Sequence, residues 1–247
     1  MKLTLTEPTL LKDSIGVISE LVTEVQFKIT HNAVELTAMD PANVAMVMFK
    51  LFSSAFVEYE LDKDTDIAVN LDNLYKIMRT ISAADTLTLE LEEDRLKIKI
   101  EGESTRTFYL PILELGEREP NKPKLEFPVK ITTKASIFER AITDVNIVAD
   151  AVSLIAEPQL FTLSGEGDFS RAKIEIKNDN NTQITMDGVE KVRARYSIEY
   201  LNKFVKAGKM TDKVNIMFAE NWPLKLEFVV VDKLLLAFIL APRIEYD

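Results

Sequence analysis

The side chains best placed to do chemistry are two pairs of cations, Lys76 with Arg79 and Lys203 with Lys206. Members of each pair stand three apart, so on a helix they share one face. Such a face meets phosphates by charge alone and reads no bases. The setting sharpens the signal. The chain has 30 Lys and Arg against 40 Asp and Glu, a formal net charge of −10, which taken alone argues against nucleic acid. Yet from Asp72 to Ser82 one aspartate opposes Lys76 and Arg79, and from Ile198 to Lys209 Glu199 opposes Lys203, Lys206 and Lys209. One such face would pass as an ordinary solvated helix surface. Its recurrence in an acidic chain favours phosphate contact. Two other helical stretches offer less: Lys12 stands with Asp13 and Glu20, and Arg140 with Glu139 and Asp144.

Catalysis finds little support. The one histidine, His31, sits in a turn-like His-Asn pair, and there is no cysteine. Thiolate chemistry, disulfides and cysteine-held zinc are therefore excluded, as is a Ser-His-Asp set. Neither a phosphate-cradling P-loop nor a dinucleotide fingerprint occurs. The carboxylates form no tight motif suited to a two-metal site. No enzyme, cofactor or metal is expected.

The elements that carry these residues are mostly short strands. Thr86–Glu92 and Arg95–Glu101 alternate strictly about a Glu93-Asp94 turn, the mark of an antiparallel sheet with one wet face. Val25–Ile29, Ala33–Met39, Val44–Leu51, Ala172–Lys177, Val189–Tyr196, Lys213–Phe218 and Leu224–Val231 read alike. Helical periodicity predicts helices near Thr9–Val22, Asp72–Ser82, Ser136–Ala149 and Ile198–Lys209, each amphipathic. Leu71, Leu74, Met78 and Ile81 form the apolar side of the second.

The chain is two copies of one pattern. A shift of 127 residues lays Leu11, Ile15 and Ile18 on Phe138, Ile142 and Val145. It also lays Leu71, Leu74 and Ile77 on Ile198, Leu201 and Phe204, and Lys76 and Arg79 on Lys203 and Lys206. One shift serving distant segments dictates architecture. Between the copies runs Pro111–Pro128, which holds four of nine prolines and many charges; it cannot be a long helix or central strand. The expected domains are thus residues 1–110 and 129–247 with a connector at 111–128. The expected class is α+β, each domain pairing two helices with one curved antiparallel sheet. The greasiest run, Leu234–Pro242, is nine residues long, short of the roughly twenty needed to span a bilayer. The N-terminus lacks the apolar core of a signal peptide, so a cytoplasmic protein is expected.

Several stretches resemble the DNA sliding clamps of the proliferating cell nuclear antigen (PCNA) type. Leu36–Val47 (LTAMDPANVAMV) resembles that family's strand-loop-strand, and Val69–Met78 (VNLDNLYKIM) its first-domain helix. Leu240–Ile244 (LAPRI) resembles its C-terminal signature, and Tyr200–Lys206 and Trp222–Leu224 also fit. The Asp-Pro-Ala-Asn-Val and Ala-Pro-Arg-Ile forms are nearest to archaeal members, and the similarity covers the whole chain. The resemblance implies a homotrimeric or heterotrimeric ring around duplex DNA, with helices lining the channel. A clamp loader would open it, and DNA polymerase, a flap endonuclease and DNA ligase would dock on it. DNA-facing residues would then be Lys12, Lys76, Arg79, Arg140, Lys203, Lys206 and Lys209. Partner peptides, carrying a glutamine, an aliphatic residue and two aromatics, would fill a pocket of Met39, Asn43, Val44, Met46, Leu125, Phe127, Trp222, Pro223, Ile239, Leu240, Ala241 and Pro242. Subunits would join through Thr105, Arg106, Thr107, Phe108, Tyr109 and Leu110 of one copy and Arg171, Ala172, Lys173, Ile174, Glu175, Ile176 and Lys177 of the next. Asn43 stands where many relatives have histidine, and Lys122 where the connector is often apolar. A scaffold of the same fold that closes no ring, and a DNA-processing enzyme with a carboxylate metal site, are the rival readings.

Overall fold

A computed structural model describes residues 1–116, 120 and 122–244. Part of the expected connector (117–119 and 121) and the last three residues lie outside them. Two compact units emerge: Met1–Pro41 with Val47–Pro120 and Val230–Leu236, and Ala42–Met46 with Asn121–Val229 and Ala237–Asp247.

Along the first half run β1 (Lys2–Leu5), α1 (Thr9–Ser19), β2 (Glu24–Ile29), β3 (Ala33–Met39), β4 (Ala45–Phe52), β5 (Glu58–Glu60), β6 (Thr65–Asn70), α2 (Leu71–Met78), β7 (Thr86–Glu92), β8 (Arg95–Glu101) and β9 (Thr105–Pro111). The second half has β10 (Val129–Lys134), α3 (Ala135–Asn146), β11 (Ala151–Glu157), β12 (Leu160–Glu166), β13 (Arg171–Lys177), β14 (Thr182–Met186), β15 (Val192–Ser197), α4 (Ile198–Phe204), β16 (Lys213–Phe218), β17 (Leu224–Val230) and β18 (Leu234–Leu240).

The α+β class and the two helices per repeat are as expected; the single sheet is not. Strands of the first unit are ordered β5-β1-β7-β8-β9 in one sheet and β4-β3-β2-β6 in another. Those of the second run β14-β10-β16-β17-β18 and β13-β12-β11-β15. Period-2 alternation shows that a strand has one buried face and is silent on which sheet it joins. In the first unit the core lies between the two sheets and the helices: a void of about 40 Å³ is walled by Leu3, Leu89 and Leu96, by Phe27, Val34 and Ile67, and by Leu11, Ile15 and Leu74. In the second unit phenylalanines fill the comparable space. Phe161 and Phe218 meet at 6.4 Å across the two sheets, and Phe204 of α4 stacks on Phe238 at 4.4 Å and 9°.

The repeat is visible in strand register. Gln26 pairs with Ala68 and Lys28 with Glu35, while 127 residues on Ser153 pairs with Arg195 and Ile155 with Thr162. It extends to the segments leaving each repeat. Leu113 donates its amide to the Ala68 carbonyl on the β6 edge at 2.8 Å, and Arg243 does the same to Arg195 on the β15 edge at 2.7 Å.

Helix ends fall short of the periodic stretches. α2 starts on an Asn70 side chain that accepts from the Asn73 amide at 3.0 Å, an N-cap. It buries Leu71, Leu74 and Met78, and stops at Met78 rather than Ser82. α4 stops at Phe204 and tightens into a 3₁₀ turn over Val205–Lys209. Gly208 lies there because a Cβ would come within 3.0 Å of the Ala135 side chain at the start of α3. The expected strand from Val189 begins only at Val192, since Gly188, at φ +66°, turns the chain after β14.

Candidate functional site

Helices α1 and α2 pack on each other, as do α3 and α4, so each unit gathers its helical cations in one region. Lys76 is exposed and donates to Asn73 Oδ1 at 3.5 Å, while Arg79 is exposed at the end of α2. Lys203 is half-buried, 3.4 Å from Glu199 and 5.3 Å above the Tyr200 ring. Lys206 and Lys209 are exposed on the 3₁₀ turn. Arg140 is exposed on α3. Lys12 is set differently: its ammonium donates to the Ile81 carbonyl at 2.6 Å, in the turn that follows α2. His31 occupies the β2–β3 turn, 3.4 Å from Asp64. Among the described residues no group of three or more His, Asp or Glu side chains is arranged to hold a metal.

The two expected joining segments are β9 and β13, and each is the last strand of its sheet. Both are seven residues long and share one burial sequence: exposed and half-buried residues alternate up to a buried sixth, Leu110 or Ile176. The other sheet ends are β5, β6, β14 and β15, of which β14 spans five residues, two fewer than β9 or β13. The β6 and β15 edges take the hydrogen bonds from Leu113 and Arg243 described above, and β5 spans three residues. Long open edges invite another strand, and β9 and β13 are such edges.

Arg106, though in β9, turns inward. Its guanidinium donates to the Thr80 carbonyl at 3.0 Å and to Asp85 Oδ2 at 2.8 Å, leaving a buried Nε without a partner among the described residues. The buried Asp85 also accepts from the Ser82 amide at 3.0 Å, and this bond, ahead of the Arg106 charge, holds its carboxyl below the usual range. The site fits only beneath a glycine, since a Cβ on Gly102 would collide with Asp85 Oδ1. Arg106 thus ties the β9 edge to the turn after α2, a role the sequence does not reveal.

Of the expected pocket residues, Met39 ends β3 in the first unit. The others lie in the second. Ala241 donates its amide to Val44 at 2.9 Å, which brings Val44 beside Ala241. Asn43 has φ +56°, a left-handed conformation that Asn tolerates and most other non-glycine residues avoid. Met46, Ile239 and Leu240 are buried, so they can act only as floor. Val44, Leu125, Phe127, Pro223, Ala241 and Pro242 are half-buried, and Trp222 is 45% exposed. The Trp222 turn is pinned from below, where the buried Tyr196 hydroxyl donates to the Trp222 carbonyl at 2.8 Å; burial raises the Tyr196 phenol.

The chain's last described residues are held by Arg243, whose guanidinium lies 2.8 Å from Asp150 and depresses that carboxyl. A folded pKa below the unfolded one means the contact contributes above the ordinary carboxylate pKa, near 4. It is lost as pH falls through the lowered value. The Arg243 amide resonance should therefore titrate below about pH 4 and stay flat in Asp150→Asn; identical titrations would show that the pair does not hold the tail.

Two family models match the chain: the proliferating cell nuclear antigen N-terminal domain over residues 1–114 and the C-terminal domain over 121–243. The DNA polymerase sliding clamp of Pyrococcus abyssi is 33% identical over 232 residues, covering 94% of this chain and 93% of its own. A crystal structure of PCNA from Thermococcus kodakaraensis has the same fold, with TM-score 0.92 at 24% identity over 98% of this chain and 99% of its own. A PCNA2–PCNA3 complex from Sulfolobus tokodaii superposes with TM-score 0.90 at 25% identity over the same shares of the two chains. The chain belongs to the proliferating cell nuclear antigen family of DNA sliding clamps.

Proposed function

We propose that the protein is a DNA polymerase sliding clamp: three copies close a ring around duplex DNA and tether replication and repair enzymes, without turnover of its own. The observation that carries this reading is the pair of clamp-domain matches tiling one chain. An open β9 edge in one unit and an open β13 edge in the other support it, because each copy then has a donor and an acceptor edge for two neighbours. Acting on the chromosome of an archaeal-type cell, it works in the cytoplasm. Light scattering on the pure protein tests assembly: a mass three times the 28.0 kDa chain is expected, and a monomer or dimer would show that this chain alone closes no ring.

Lys76, Arg79, Lys203 and Lys206 then face the bore and touch phosphates weakly, while the acidic remainder keeps the outside soluble. Alanine at all four should leave the trimer intact and reduce loading and processivity. Removing one phosphate-touching cation lowers the salt slope of DNA binding by about one unit. Wild-type loading and sliding by that variant would mean that these faces are only solvated.

Partner peptides dock against Val44, Leu125, Phe127 and Trp222 of the second unit, with Met46, Ile239 and Leu240 beneath. Leu125 and Phe127 supply one wall. A charge on the buried Ile239 would disturb the strand itself, so the half-buried Phe127 gives a cleaner test. Phe127→Ala should weaken a peptide bearing a glutamine, an aliphatic residue and two aromatics by about 2 kcal/mol, roughly thirtyfold. Affinity within twofold of wild type would place the pocket elsewhere.

A further inference from the structure

The sheet β13-β12-β11-β15 has two unlike faces. One packs on the helices: a Cβ on Gly165 would strike Val145 and Ala149 of the α3 region. The opposite face forms a trough of about 350 Å³. Its floor, on the two inner strands, is made of Ser153, Thr162 and Ser164 with the apolar Ile155 between them. Its walls, on the two outer strands, are long and basic: Arg171 and Lys173 on β13, and Arg193 and Arg195 on β15.

The hydroxyls of Thr162 and Ser164 find no protein partner among the described residues. Arg193 donates to Ser153 Oγ at 3.3 Å. Arg171 and Lys173 pair with Glu166 at 2.6 Å and Glu175 at 2.5 Å, and all four of those side chains are well exposed. Exposed pairs of this kind contribute at most about 1 kcal/mol, so a better-placed carboxylate can take their cations.

The first repeat serves as an internal control. The 127-residue shift places Asp66, Ala68, Gln26 and Glu35 at the positions of Arg193, Arg195, Ser153 and Thr162, in the same strand register. The positions of Arg193 and Arg195 therefore carry no cation in the first repeat, whose equivalent face holds instead Lys28, at the position of Ile155, and Lys50, paired with Glu35 at 2.8 Å.

We propose that this trough binds an extended acidic peptide segment of a partner protein, with carboxylates at alternate positions. Alternate residues of a strand lie about 6.6 Å apart, so each wall presents two cations at the spacing of alternate carboxylates on an extended peptide. Guanidinium forks suit carboxylates bidentately, and the free hydroxyls supply donors from the floor. A single nucleic-acid strand has similar charge spacing but needs aromatic platforms for its bases, and no aromatic side chain lines the trough. Strand addition at β13 would use its backbone and leave these side chains standing perpendicular to the sheet.

The test is fluorescence anisotropy on the full chain with a labelled peptide of alternating Glu and Gly, its Gln counterpart and oligothymidylate. Salt-sensitive binding of the Glu peptide is expected, with at least tenfold loss in Arg193→Glu and no loss in Lys130→Glu, a cation on β10. Thr162→Val, nearly isosteric, provides a second variant and should weaken the Glu peptide severalfold with unchanged melting. Equal binding of the Glu and Gln peptides, an unaffected Arg193→Glu together with an unaffected Thr162→Val, or tighter binding of oligothymidylate through Arg193 would overturn the proposal.

Discussion

Proline at Glu175 in β13, or at Thr107 in β9, should turn the trimer into monomers while each unit stays folded. The choice of residue follows from hydrogen-bond parity. Gly167 donates to Ser170 and Asn178 to Gln159. Antiparallel pairs alternate between bonded and non-bonded, so Ile174, opposite Leu163, spends its amide on β12 within its own sheet. Lys173 and Glu175 point theirs to the open side. On β9 the Ile112 amide donates to Asp94, and the same counting makes Phe108 inward-bonded and Thr107 and Tyr109 outward-bonded. Pro111 already stands at an outward position, where a missing donor costs the sheet nothing. Proline at Glu175 or Thr107 therefore deletes a bond only a neighbouring copy can use. Proline at Ile174 or Phe108 also damages its own sheet. Light scattering should show the mass fall to that of one chain with circular dichroism unchanged; a trimer surviving both outward variants would put the joint elsewhere.

The second large effect is in the core. Phe204 is fully buried and stacks on Phe238, which meets Phe228 edge-on at 6.2 Å. Removing its ring leaves a cavity that the flanking strands cannot close. Phe204→Ala should cost about 3–5 kcal/mol, including the preference of paired rings beyond their area. Its counterpart under the repeat, Ile77, is half-buried, and Ile77→Ala should cost well under half as much. Denaturant titration of the two variants decides it. Equal losses would mean that the aromatic stack contributes no more than an aliphatic side chain at a helix surface.

Much of this molecule is legible in its sequence, for a physical reason. Alternation in strands and 3.6-residue periodicity in helices are local signals, and the 127-residue shift repeats them, so elements and their copies can be read directly. β3 and β16 fall on their expected residues, Ala33–Met39 and Lys213–Phe218. Periodicity overextends helix ends where closure depends on a tertiary neighbour, as at Gly208 against Ala135. The division into two sheets, the inward turn of Arg106 onto Asp85 and the straps on β6 and β15 depend on partners far apart in sequence with no shared motif. The basic trough is invisible for the same reason, its cations being scattered over two strands. Among the expected pocket residues, Met46 and Leu240 read as binding surface by resemblance. Their burial as floor emerges only with the fold.

The straps have a counterpart in what they omit. Leu113 and Arg243 cover equivalent edges of the two repeats, whereas β9 and β13 occupy different places in the repeat and are left open. A joint between β9 of one copy and β13 of the next uses two unlike edges, so it is heterologous rather than twofold. Copies joined in this way queue in one direction, each offering β9 to the β13 of the next. Any closed circle built this way has handedness and two distinguishable sides, so a track threaded through it is held with a forward and a reverse. Every copy then shows Trp222 and its tail towards the same side, and whatever docks there is carried facing one way along the track.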